Sequence, residues 1–136
     1  MAANFPISHY FGESLNIPYL PKKTVVNIGG WKIQLTIRSL YAPKGSIVFQ
    51  GDTTGVQVSG GSSGTGPVVF ITDAVNSIFN VQLTTAQTQV LTLIGDPTKP
   101  SSLGNYVYDI WRTDSGNEFL MAFGTWSVLP QARLAD

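Results

Sequence analysis

The C-terminal part of the chain contains a long stretch of aromatic and β-branched residues that constrains the fold more than any other segment. Two such runs, 106–113 and 119–129, flank the polar segment 114–117. Gly116 can adopt the positive φ that a tight turn needs, so the stretch predicts a long β-hairpin. Because side chains alternate between the two faces of a strand, the register of this hairpin decides which residues are buried.

Two registers of the hairpin are compatible with the sequence. If 114–117 form the loop, Arg112 lies opposite Phe119. If only 114–116 form it, the Asp109 carboxylate falls among apolar side chains, where it is costly unless it is hydrogen-bonded. We favour the first register, which predicts one buried face formed by Tyr106, Tyr108, Ile110, Phe119, Met121 and Phe123.

The rest of the chain predicts short strands separated by turns. Segment 31–38 alternates, with Trp31, Ile33, Leu35 and Ile37 on a buried face and Lys32, Gln34, Thr36 and Arg38 on a wet face. Thr84 and Gln87 have the spacing of a capping box, which makes the segment after Thr84 the one predicted helix. Seven or eight short strands predict an all-β antiparallel β-sandwich, Ig-like or jelly-roll-like, with at most one short helix.

The first twenty residues predict an extended N-terminal arm (1–20) ahead of a β-sandwich domain (21–136). Aromatic and aliphatic residues recur in the arm without a helical or strand period, and Pro6, Gly12 and Pro18 interrupt it. Leaving this many apolar side chains in water is costly. We therefore expect the arm to lie either along its own domain or on a neighbouring subunit. Both placements are open, and the expected contact residues are Phe5, Ile7, Tyr10 and Phe11.

Composition limits the classes of partner. Only 12% of the 136 residues are charged and the formal net charge is zero, whereas about 25% charged residues is usual. A neutral surface poor in charge suits a protein packed against partners, and eight scattered Lys and Arg residues form no basic patch for nucleic acid. No apolar run is long enough to cross a membrane. We therefore expect no nucleic-acid and no membrane partner.

The chain shows no recognisable catalytic chemistry, so we predict no enzyme activity, no cofactor and no metal site. It contains no cysteine, and its one histidine, His9, lies in the arm. The glycine-rich segment 51–66 lacks the lysine and the following helix of a phosphate-binding loop. Trp111 and Trp126 offer the one rival interpretation, since outward-facing tryptophans could form either a protein interface or a platform for a glycan.

Three segments together resemble a family of small phage virion proteins, and in particular the N-terminal domain of baseplate upper proteins. IGGWKIQLTIR (28–38) is similar to the family's glycine-tryptophan strand that ends in arginine, and VQLTTAQT (81–88) to its strand leading into a threonine-capped turn. GNYVYDI (104–110), DSG (114–116) and GTWSV (124–128) complete the similarity. The arm and the segment 51–66 have no counterpart in that pattern.

The resemblance implies a non-catalytic structural protein of the virion, made in the cytoplasm of the bacterial host. Such a protein would act in assembly, as a tail, baseplate or fibre adaptor or as a capsid-surface decoration protein. Its partners would be other phage virion proteins, and we expect a homo-oligomer. The alternative is a carbohydrate-binding β-sandwich module that attaches to a host or other glycan through Trp111 and Trp126.

Overall fold

Ten strand segments and one helical turn make up the regular structure of the computed structural model, which describes residues 3–20, 26–39, 47–59, 67–91 and 104–129. The one helix of these residues, α1, spans Thr85–Thr88. The strands are β1 (Ala3–Asn4), β2 (Ile7–Tyr10), β3 (Leu15–Tyr19), β4 (Ile33–Ser39), β5 (Ile47–Asp52), β6 (Val56–Ser59), β7 (Val69–Asp73), β8 (Ile78–Leu83), β9 (Gly104–Arg112) and β10 (Phe119–Leu129).

The strands form two sheets. The large sheet has the order β1-β10-β9-β4-β5-β6, and β2 also pairs with β10. The small sheet is antiparallel, with the order β3-β8-β7. The prediction of a nearly all-β chain with one short helix is confirmed in the described residues. The expectation of antiparallel pairing throughout is wrong, because β1 and β2 both run parallel to β10 and make the large sheet mixed.

Strand β4 lies inside the large sheet, between β5 and β9. Its predicted buried face is confirmed for Ile33, Leu35 and Ile37, which are fully buried, whereas Trp31 precedes the strand and is half-buried. The opposite face is less wet than expected: Thr36 is also buried, and its hydroxyl oxygen accepts a hydrogen bond of 2.9 Å from the Gln50 amide. A buried hydroxyl needs such a partner, and the neighbouring strand supplies it.

The predicted hairpin is formed by β9 and β10, with Gly116 at a φ of 83° in the turn. The favoured register is confirmed next to the turn, where Phe119 lies opposite Arg112. A β-bulge then shifts the pairing between Leu120 and Ala122, so that Ala122 lies opposite Ile110. From the bulge onward, every side chain of β10 points to the face opposite to the predicted one.

The buried face of the hairpin therefore differs from the predicted one on its second strand. Tyr106, Tyr108 and Ile110 of β9 are buried as expected. On β10 the buried residues are Ala122, Trp126 and Val128, whereas Phe119 and Phe123 are exposed and Met121 is half-buried. Without the bulge, two polar side chains near the end of β10 would be buried in place of Trp126 and Val128. Burial of the larger apolar surface favours the shifted register.

One hydrophobic core includes residues of both sheets. The ring of Tyr19, from the small sheet, stacks on that of Phe79 at 5.1 Å, and its hydroxyl lies 3.4 Å from the hydroxyl of Tyr108 in the large sheet. After β8, the predicted capping box of Thr84 and Gln87 is present and begins α1. The segments 60–66, 92–103 and 130–136 lie outside the described residues.

Candidate binding surfaces

The segment predicted as an arm lies along its own domain. After β1 and β2 have followed β10, the chain turns at Gly12, which has a φ of 77°, and enters the small sheet as β3. Ile7 is buried, while Phe5 and Phe11 are half-buried and pack against the core. Of the four predicted contact residues, only Tyr10 is largely exposed, with 43% of its surface accessible. A contact with a neighbouring subunit remains a prediction, and Tyr10 is the member of the set that is free to make it.

A close backbone approach fixes the segment against β10. The Phe5 amide donates a hydrogen bond to the Phe123 carbonyl, and the Phe5 carbonyl accepts one of 2.5 Å from the Tyr108 hydroxyl. Gly124 makes this approach possible, since a Cβ there would lie 2.8 Å from the Phe5 carbonyl carbon. Burial raises the pKa of Tyr108 and of Tyr19. Both hydroxyls therefore stay protonated and able to donate.

The buried side chains of His9 and Trp126 form a second contact between the N-terminal segment and β10. The Trp126 indole N–H donates to Nε2 of His9 at 2.8 Å, and Nδ1 of the same ring lies 2.9 Å from the Tyr10 carbonyl oxygen. Nε2 must be unprotonated to accept, so Nδ1 carries the proton and the imidazole is neutral. Burial lowers the pKa of His9, against the smaller opposing effects of the Tyr10 carbonyl and the Glu13 carboxylate.

The position of Trp126 corrects one sequence interpretation. Its side chain is 0% exposed, so the expectation that it projects from the outer face as an interface or glycan platform is wrong. The bulge in β10 is the physical reason, because it turns Trp126 inward to contact His9 and Tyr108 edge-on. Trp111 keeps the predicted outward position, with 39% of its surface exposed.

The tip of the hairpin is held by a cluster around Arg112. Its guanidinium carbon lies 4.0 Å from the centre of the Trp31 ring, and its Nε donates to Asp114 at 2.8 Å. Asp114 also accepts from the Lys32 backbone amide, and these hydrogen bonds hold its pKa below the ordinary value. Arg112 is thus committed to a cation–π contact and an ion pair.

A groove of about 330 Å³ lies on the outer face of the large sheet, next to this tip. By "outer face" we mean the side opposite to the buried residues of the sheet. Trp111 and Asp109, on β9, lie opposite Gln34 and Thr36 on β4. The lining includes Gln34, Thr36, Arg38, Gln50, Asp109 and Trp111.

The surroundings of the groove shift the pKa of Asp109. Partial burial raises its pKa, while the positive charge of Arg38 and a hydrogen bond from Trp111 act in the opposite direction. With Phe119 opposite Arg112, a regular hairpin would place Ala122 opposite Asp109, but the bulge puts Phe123 there. The groove therefore borders directly on an exposed aromatic residue.

Beyond Phe123, the outer face carries no charged side chain along β10 and β2. We call this surface the uncharged strip. Ser8 of β2 lies opposite Ser127, and Tyr10 opposite Leu129, so the outward residues of both strands form one surface. Its members are Phe123, Thr125, Ser127, Leu129, Ser8 and Tyr10. The part along β10 alone covers six residue steps, or about 20 Å.

No group of three or more His, Cys, Asp or Glu side chains within the described residues is placed to hold a metal ion. None of the helices in this part of the chain is long and apolar enough to span a membrane. Comparison with known proteins found no matching family model and no significantly similar curated protein.

Sequence reasoning missed the groove and the uncharged strip, although the strip had a signal. The apolar residues of β10 change phase along the strand, from Phe119, Met121 and Phe123 to Trp126 and Val128. A change of phase within a strand indicates a bulge. Placed there, the bulge would have turned Phe123 outward and Trp126 inward.

Proposed function

We propose that this protein is a non-catalytic structural protein of a bacteriophage particle, folded as a β-sandwich and acting in assembly. The proposal covers a tail, baseplate or fibre adaptor and a capsid-surface decoration protein, with other virion proteins and further copies of the chain as partners. The similarity of segments 28–38, 81–88 and 104–130 to small phage virion proteins supports this class. The observation that carries an assembly role is the uncharged strip.

The strip has the composition of a protein contact. Tyr10 and Phe123 expose 43% and 40% of their surface on it, and the strip residues between them are Ser, Thr and Leu. Charged neighbours lie at its two ends, with Asp109 opposite Phe123 and the Glu13 carboxylate accepting from the Tyr10 amide. Protein interfaces are enriched in aromatic residues at their centre and depleted of charge there, and tyrosine is a common hot-spot residue. A partner laid along the strip would bury both rings without removing any ionised group of the strip from water.

The contact differs in one respect from the sequence expectation for the arm. Phe5, Ile7 and Phe11 already pack against the protein's own core. They hold β1 and β2 in place, so that β2 presents Tyr10 on the outer face. The N-terminal segment therefore serves assembly through Tyr10, together with the residues of β10 that it borders.

Low charge over the whole chain supports the same function. The chain has eight acidic and eight basic residues, and the formal net charge is zero. Net charge keeps proteins apart in solution, so a neutral protein pays little electrostatic repulsion when many copies are packed together.

Labelling and incorporation experiments test the proposal. Gold-labelled antibody against the protein should mark phage particles, and the labelled position should distinguish a capsid protein from a tail protein. A Tyr10→Asp/Phe123→Asp double variant should be lost from particles while keeping the circular dichroism spectrum of the native fold. Val75→Asp is the matched control, since Val75 is 66% exposed in the turn between β7 and β8.

Two results would count against the proposal, one against the virion assignment and one against the contact surface. Absence of label from intact and disrupted particles would remove the virion assignment. Normal incorporation of the double variant would leave the virion assignment standing but would exclude the uncharged strip as the contact surface.

A further inference from the structure

The groove next to Trp111 has the dimensions of a small-molecule site. Its volume of about 330 Å³ lies at the lower end of the range for ligand pockets, about 300–1,000 Å³. It lies on β4, β5 and β9, whereas the uncharged strip lies on β10 and β2. The groove is therefore a separate feature, and its chemistry differs from that of the strip.

Trp111 supplies an exposed aromatic ring that the core does not use. Its neighbour Ile110 is fully buried and Trp126 is fully buried, whereas Trp111 exposes 39% of its surface. An indole has a large apolar face and an electron-rich π system, which attracts the C–H groups on one side of a sugar ring. A ligand with one apolar face and many hydroxyls would match such a wall.

The remaining lining consists of groups that bond to hydroxyls. Gln34 lies directly opposite Trp111 in the sheet, and Asp109 is two residues from it on the same face of β9. A carboxylate and an amide each offer two polar atoms in one plane, so each can bond to neighbouring hydroxyls of one ring. Glu118, from the turn side of the groove, adds a second carboxylate.

The charges of the groove argue for a neutral ligand. Arg38 and Arg112 are matched by Asp109 and Glu118 in the lining. Arg112 already pairs with Asp114, and Arg38 acts electrostatically on Asp109. A phosphate or sulfate would meet two carboxylates without an excess of positive charge, and this disfavours an anion.

From these observations, we propose that the groove binds a neutral saccharide, with one sugar ring stacked on Trp111 and its hydroxyls bonded to Asp109 and Gln34. In a virion protein such a site would attach the particle to a host glycan. The site itself does not depend on the virion assignment, because it is defined by residues of this chain alone.

Binding to the isolated full-length protein tests the site. The probes are glucose, galactose, mannose and N-acetylglucosamine with their α- and β-linked disaccharides, and glucose 1-phosphate serves as the anionic comparison. Titration would be followed by tryptophan fluorescence and by amide NMR shifts. We expect saturable binding of at least one neutral sugar, with shifts centred on β4 and β9 and at least tenfold weaker binding of glucose 1-phosphate.

Matched variants assign the binding to the groove. Trp111→Ala should weaken it at least tenfold, and Trp111→Phe should restore part of it. Tyr10→Ala, on the strip and away from the groove, should leave it unchanged. Absence of saturable binding to every neutral probe by the folded protein would overturn the proposal, as would full binding by Trp111→Ala. Either result would leave the particle-labelling experiment unaffected, so the two proposals fail separately.

Discussion

Protonation of His9 should weaken the attachment of the N-terminal strands to the large sheet. The neutral ring accepts from the Trp126 indole through Nε2 and reaches the Tyr10 carbonyl through Nδ1. A proton on Nε2 would replace the acceptor by a second donor, and the Trp126 N–H would lose its partner inside the core. A buried donor without a partner costs about 1–3 kcal/mol.

The pH range and the sign of the effect follow from the pKa. Burial lowers the pKa of His9 in the folded protein below its ordinary value of 6.5. Between those two values the unfolded chain binds more protons, so the free energy of unfolding falls as the pH is lowered. For a single titrating group, the free energy of unfolding changes by at most about 1.4 kcal/mol per pH unit. This change with pH vanishes below the folded-state pKa.

Urea denaturation followed by tryptophan fluorescence measures this slope from about pH 7.5 to about pH 5.5. With an m-value of about 1–3 kcal/mol/M, a change of about 1.4 kcal/mol moves the midpoint by about 0.5–1.4 M. His9 is the one histidine of the chain, which makes the effect easy to assign. His9→Gln is the matched variant, since a glutamine oxygen can accept from Trp126 without titrating in this range.

The comparison rests on the slope, so it holds even if His9→Gln is less stable at every pH. Native protein should lose stability over this range, and the variant should lose much less. Equal slopes in the two proteins would refute the argument, because the titrating group would then lie elsewhere. A raised pKa for His9 by direct NMR titration would refute it as well, since a stabilised imidazolium contradicts the observed Trp126 hydrogen bond.

Three further substitutions test the packing. Gly124→Ala should lower the free energy of unfolding by about 1–3 kcal/mol, because the new methyl group collides with the Phe5 backbone. The control, Thr125→Ala on the exposed face, should change the free energy of unfolding by less than about 0.5 kcal/mol in the same urea titration. Thr84→Ala should cost about 1 kcal/mol, measured by thermal melting, through loss of the capping box. Asp109→Asn should stabilise the protein at neutral pH, because the raised pKa shows that the folded state disfavours the charged form. That gain should shrink as the pH is lowered through the folded-state pKa, and a constant or growing difference would contradict it.

Local pattern in the sequence was sufficient to predict several elements. The alternation over 31–38 identified β4 and its buried residues, because the register of a strand with one apolar face has only one low-energy solution. Thr84 and Gln87 identified the start of α1, since a capping box satisfies two backbone groups within four residues. In both cases the residues that stabilise the element lie within or next to it in the sequence, so a local pattern reveals them.

The parallel pairing of the N-terminal strands could not be predicted in the same way. Ile7 pairs with Trp126, which is more than a hundred residues away, and the pairing depends on the Gly124 backbone approach and on the inward turn of Trp126. These conditions exist only after the bulge has formed in β10. Because the bulge was not predicted, two predictions were wrong: the buried face of the hairpin and the exposure of Trp126.

The same bulge links the fold to the proposed assembly surface. Because it turns Trp126 inward, it supplies the partner that His9 needs and so fixes β2 on the sheet edge, with Tyr10 outward. Because it turns Phe123 outward, it places an exposed ring between Tyr10's strip and the groove around Asp109. A chain with a regular hairpin would bury Phe123 and expose Trp126, and the uncharged strip would not exist in its present form. Incorporation into particles should therefore be sensitive to deletion of Met121, the residue that the bulge adds to β10.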